Sequence, residues 1–269
     1  VSRDTSRPLP TLDAARAVFS VSFERLFWSR RSLLMGALLC LPVVFGVLYR
    51  VVLVAKLPPR LSGFDLYGTV VALYYIRNVL PLAALFYGTA LVTDEVEERT
   101  ITYLFTRPIR RASVLLGKFA AYLATTLCLV LPATVVSYFL LTTASGLSGA
   151  TAHGVDLVRD LGALAMGLLV YGAFFTCAGV LLKRPMIPGL LFLFVWELVA
   201  NLPGYLPRLT LTAWLRSLVT HHPAEEGLAQ VFAQTQPAGL SLAVLAVASL
   251  AFLFLAVRIF SSREYVLDQ

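Results

Sequence analysis

Charge is what this sequence has least of. Only 14% of its 269 residues are Asp, Glu, Lys or Arg, against about 25% in ordinary soluble domains. The deficit is concentrated: residues 119–155, 161–182 and 227–257 hold no charged side chain. A helix rises about 1.5 Å per residue, so roughly 20 apolar residues cross the hydrocarbon of a bilayer. Each of these stretches is long enough, and none has the polar face of a soluble core helix. A water-soluble fold is thereby excluded. Cysteine is scarce as well. Cys40, Cys128 and Cys177 fall in apolar runs without pair spacing, which argues against redox or metal chemistry and reads as small packing residues. No histidine lies in an apolar run and no H-E-x-x-H occurs, so an intramembrane metalloenzyme lacks its ligands. A phosphate-binding loop is missing too: Gly117-Lys118 is followed by Phe119, with no glycine at the required spacing before it. The first 31 residues contain no apolar run ending in a small-residue cleavage site, so no signal peptide is expected.

What is present is a succession of six apolar runs, about 32–54, 66–92, 114–146, 158–182, 186–202 and 236–257. They predict a single all-α integral membrane domain over 1–269 with six transmembrane helices and an outer loop at 203–235. An even number of crossings puts both termini on one side, and basic residues choose that side. With the termini in the cytoplasm, 15 of the 22 basic residues fall inside. These include Arg30, Arg31, Arg99, Arg107, Arg110, Arg111, Lys118, Lys183, Arg184 and Arg258. The net charge of +7 is thus membrane orientation and calls for no nucleic acid. The expected location is the cytoplasmic (inner) membrane, multi-pass.

Three further features carry polar chemistry. Residues 12–31 place Val18, Phe19, Val21, Phe23, Leu26 and Phe27 against Arg16, Glu24, Arg25 and Arg30, with Trp28 at the end. This is the pattern of an interfacial helix lying among membrane lipids. Arg77-Asn78 interrupts the second run and Glu197 the fifth. A lone charge at such depth costs about 2.5–3.5 kcal/mol on insertion scales. Counted along their helices the two charges reach similar depths, which predicts a pair, or a polar site shared with Asn78, Tyr74 and Asn201. Its role is either to fix packing or to touch substrate. His221-His222 and Glu225-Glu226 read as a solvated loop, because adjacent histidines do not share a face and Pro223 intervenes.

The most informative segment runs from Thr93 to Lys118. Asp94, Glu95, Glu97 and Glu98 open it, and Arg107, Arg110 and Arg111 close it. Acids at a helix start and cations at its end suit the helix dipole, and Pro108 biases Arg107 away from helix. A short amphipathic helix is expected over about 95–106, with Ile101, Leu104 and Phe105 on its apolar side. The order of acidic turn, Glu-x-x-x-Thr (Glu95 or Glu97, then Thr100), Leu104, Arg107-Pro108, Arg111 and Gly117-Lys118 resembles the permease subunits of ABC-2-type ABC transporters. The layout of interfacial helix, six spans and long last outer loop is similar to theirs across nearly the whole chain.

That resemblance implies a type V exporter-like fold with an N-terminal elbow helix and a cytoplasmic coupling helix. It implies that Glu95, Glu97, Glu98, Arg99, Thr100, Leu104, Phe105, Arg107 and Pro108 couple the chain to a separate ABC ATPase (nucleotide-binding) subunit. ATP and Mg would belong to that partner, with no cofactor in this chain and no enzymatic activity of its own. A second permease copy or a sister permease is implied, and the long outer loop would suit an extracytoplasmic protein. Two other readings stand beside a permease: a membrane scaffold or mechanotransmitting subunit without substrate passage, and a membrane-embedded enzyme. The transported substrate is not legible.

Overall fold

The computed structural model describes residues 11–55, 62–91, 111–143, 151–182, 184–200, 210–219 and 236–262, among which no strand occurs. The helices are α1 (Thr11–Phe27), α2 (Arg30–Val54), α3 (Gly63–Leu91), α4 (Arg111–Thr142), α5 (Gly154–Leu181), α6 (Met186–Ala200), α7 (Leu211–Arg216) and α8 (Ala238–Ser262). Five of them, α2, α3, α4, α5 and α8, are long and apolar enough to cross a membrane. The remaining expected span is α6, apolar and described over 15 residues. Those residues rise about 22 Å, less than the roughly 30 Å hydrocarbon core.

Helix ends follow local chemistry. Ser29 precedes α2 and its hydroxyl accepts from the Ser32 amide at 3.3 Å. Ser62 does the same for α3, accepting from the Asp65 amide and donating to the Asp65 carboxylate at 2.6 Å. Each satisfies an amide that the first turn leaves without an intrahelical partner. Pro185 supplies the carbonyl that receives the Gly189 amide as α6 begins, and Pro188 sits in that first turn where its missing donor costs little. Arg30 and Arg31 stand at the positive end of α2, where the dipole disfavours them.

The second span departs from the α form. Within α3, Val70–Val79 and Ala84–Gly88 are π-helical, separated by an α-turn at Leu80–Ala83. Pro81 has no amide to give, and its ring crowds the carbonyl four residues earlier, that of Arg77. Asn78 donates its side-chain amide to the Leu73 carbonyl of the same helix at 2.6 Å. Wide turns of this kind are rare and concentrate at functional places.

α3 and α5 form the interior. In their most apolar stretches 56% and 67% of residues are buried, against 17% for α2 and 22% for α8. α4 runs between them and also packs against α1, α2 and α8. α7 is a short helix tucked against α3, α5 and α8, with Thr210, Leu215 and Val219 buried. The core is not purely apolar. Tyr67, Tyr75, Tyr87, Tyr122, Tyr138 and Tyr171 are all fully buried. Two of the cysteines are elsewhere than expected: Cys177 is buried, but Cys40 and Cys128 lie on the outer surface of the bundle. A lipid-facing position asks only for an apolar side chain, so composition alone does not separate it from a core position.

Candidate functional site

The residues expected to meet an ATPase, Glu95, Glu97, Glu98, Arg99, Thr100, Leu104, Phe105, Arg107 and Pro108, lie outside the described residues. What is described is the ground on which that segment stands. It leaves the bundle at Leu91, the last described residue of α3, and returns at Arg111, the first of α4. The end of α3 is held on three sides. Toward α2, the Tyr87 and Ser32 hydroxyls lie 2.7 Å apart, and Ser32 Oγ also reaches the Leu26 carbonyl at 2.5 Å. That pair ties α3 to the joint between α1 and α2. Toward α4, Lys118 Nζ donates to the Leu91 carbonyl at 3.0 Å. Toward α5, glycines let backbones meet. A Cβ on Gly179 would stand 3.0 Å from the Thr89 carbonyl oxygen, and one on Gly88 would stand 3.4 Å from the Gly172 carbonyl oxygen. Small residues at such crossings are how helices approach closely without a hydrophobic driving force.

The expected intramembrane polar site is described only in part. Arg77 is half-buried and Asn78 exposed, both within the π-helical stretch. Glu197 belongs to α6, but its side chain lies outside the described residues, as does Asn201. Tyr74 turns to another helix: its hydroxyl donates to the Leu38 carbonyl of α2 at 2.6 Å. Asn78 is spent on its own helix. His221, His222, Glu225 and Glu226 lie outside the described residues. Among the described residues no group of three metal-ligating side chains occurs.

A buried acid that the sequence reading passes over is Asp160. It is fully buried in α5, beside the Tyr67 hydroxyl and near Tyr138. The Tyr67 and Tyr138 rings meet edge to face at 5.0 Å. Tyr75 continues the cluster next to Thr134 and Ser137 of α4. One turn toward the start of α5, Asp156 accepts from or pairs with His153 Nδ1 at 3.3 Å, and the imidazole stacks on Phe64 at 3.7 Å. The available signal was the i, i+4 spacing of Asp156 and Asp160, which puts both acids on one face of the helix. It was obscured because the apolar run was taken to begin at about 158.

Thr11–Phe27 forms a helix whose Phe19, Phe23 and Phe27 rings stack at 5.8 Å spacings. α1 packs along α4, while Trp28 remains 82% exposed. Val21, expected on the apolar face, is exposed as well.

Five helices long and apolar enough to cross a membrane, packed around buried tyrosines, define a multi-pass membrane protein. Residues 75–265 match the family model described as ABC-2 family transporter protein, and the chain belongs to that family. It is a transport permease subunit, a membrane component of an ABC transporter. No curated protein matches it.

Proposed function

We propose that this permease is driven by ATP hydrolysed in a separate ABC ATPase subunit, that it works as an exporter, and that it does so paired with a second copy or a sister permease. The observation that supports this reading most is the segment 92–110. It carries the acid-rich, Arg-Pro-closed pattern, and it springs from the inner ends of α3 and α4 in a chain with no phosphate-binding loop of its own. In this reading 95–106 forms the coupling helix. Glu95, Glu97, Glu98 and Arg99 meet charges at the rim of a groove on the ATPase, and Leu104 and Phe105 fill it. An apolar anchor inside a polar rim is the usual energetic layout of an interface. α6 is the fifth of six spans, both termini are cytoplasmic, and the membrane is the inner one. The exposed apolar faces of α2, α6 and α8 meet lipid or the second permease.

The test is purification of the tagged chain from its native membrane in mild detergent, with ATP hydrolysis assayed in what accompanies it. An ATPase subunit should be recovered, and Glu98→Arg and Phe105→Ala should each reduce its recovery roughly tenfold or more, as loss of an interface anchor worth about 2 kcal/mol requires. A chain that purifies alone, or an ATPase whose recovery ignores both substitutions, overturns the reading.

A further inference from the structure

Lys118 is a cation eight residues into α4, half-buried, with its ammonium 3.0 Å from the Leu91 carbonyl. Leu91 closes the described part of α3. An ammonium donating to a carbonyl makes a charge-assisted bond, stronger than a neutral one. The bond does not lie within one helix. It joins the residue from which segment 92–110 departs to the helix into which it returns.

The remaining contacts at this level give the bond its consequence. Ser32 holds Tyr87 from α2, and Gly179 and Gly172 seat the last turns of α3 on α5. Above them, α3 is π-helical and interrupted at Pro81, a weaker ladder than an α-helix has. A push on segment 92–110 would therefore reach α3 at its stiff, anchored end and could be lost in the loosened turns beyond it. α4 keeps the α form over 32 residues, with Pro132 inside it well beyond Lys118, and the Lys118 bond is a charged link between the two helices.

We propose that Lys118 is a positioning residue that locks the inner ends of α3 and α4 into one body, so that movement of the coupling segment is delivered to α4 as well as to α3. The proposal rests on the coupling reading above. The experiment uses the intact complex with its ATPase, spin labels at Phe86→Cys on α3 and Leu116→Cys on α4, both exposed positions, and native cysteines replaced. In the otherwise native chain the label-to-label distance should be narrow and the same with and without ATP plus vanadate. In Lys118→Met it should be narrow without nucleotide and broaden with it, and Lys118→Arg should restore the narrow distribution. A distance that stays narrow in Lys118→Met with nucleotide overturns the proposal. So does a distance that shifts with nucleotide in the otherwise native chain. Broadening that is already present without nucleotide, or a Lys118→Met chain that cannot be recovered, would make Lys118 a folding residue and equally overturn it. Failure of the coupling reading is separable, since it appears earlier, as absence of an ATPase from the unsubstituted complex.

Discussion

Tyrosine is the residue through which this bundle solves a problem particular to membranes. Lipid tails are as apolar as leucine, so burying leucine gives helices little reason to associate; close packing and hydrogen bonds between helices must do it. A tyrosine offers a large ring and a hydroxyl at its far end, long enough to cross to the next helix. Tyr122 spans from α4 to the Leu168 carbonyl of α5 at 2.9 Å, with its ring over Gly172, where any side chain would collide with it. Tyr74 and Tyr87 tie α3 to α2 in the same way. Asp160 extends this logic to a charge-bearing group, set beside the hydroxyl of Tyr67. Replacing the acid by leucine removes a polar interaction from a buried site. Asp160→Leu is expected to lower the thermal midpoint of the detergent-solubilised protein and Asp160→Asn to lower it less, since the amide keeps a polar group of nearly the same shape beside Tyr67. Equal midpoints for both variants and the native chain would mean that the carboxylate does not support the fold. This acid also shows the limit of reading sequence alone. Hydropathy ranks residues one at a time, and an Asp within two residues of a span boundary looks like the solvated edge of the helix. Its burial comes from Tyr67 and Tyr138, which are far away along the chain.

At the scale of elements, long helices were legible and short or irregular ones were not. Runs of twenty or more uncharged residues admit one structure in lipid, because each backbone group must be satisfied within its own helix. The π-helical turns of α3 are different. Their sequence marks, Arg77-Asn78 and Pro81, are visible, but a polar pair inside an apolar run suggests an ion pair before it suggests a change of helical register. α7 is the other case. Residues 209–219 are apolar and too short to cross, and only packing tells where they go. The structure sets α7 against α5, where Tyr171 and Thr212 hydroxyls meet at 2.8 Å and Leu215 lies close to Gly167. The Ser217 and Ser241 hydroxyls, 2.6 Å apart, tie its end to α8. Interhelical hydrogen bonds in membrane proteins average about 0.6 kcal/mol in double-mutant cycles. A cycle of Tyr171→Phe and Thr212→Val should therefore show a coupling energy of about that size in unfolding measurements. Additive effects would mean that α7 is seated by Leu215 and Val219 alone.

For the whole molecule the open quantity is the number of crossings, and it turns on α6. Its 15 described residues are almost all apolar, with Ile187, Leu191 and Phe194 exposed, yet they span less than the hydrocarbon thickness. Two exposed positions decide the matter, because they lie on either side of it: Ala152, just before α5, and Ser262, the last residue of α8. Between them stand α5, α6 and α8, with α7 too short to cross. If α6 crosses, three passages separate the two positions and they face opposite sides of the membrane. If it does not, only two passages separate them and they face the same side. The measurement is labelling of Ala152→Cys and Ser262→Cys by a membrane-impermeant maleimide on intact cells, with the native cysteines replaced. The proposed orientation, which follows the excess of arginine and lysine on one set of loops, has Ser262 inside. Ala152→Cys should then react on intact cells and Ser262→Cys only after the membrane is opened. Reaction of both on intact cells, or of neither, would leave α6 as an apolar helix that enters the membrane without traversing it. The amino terminus would then lie on the side of the membrane opposite the end of α8, and the coupling segment could not share a compartment with both.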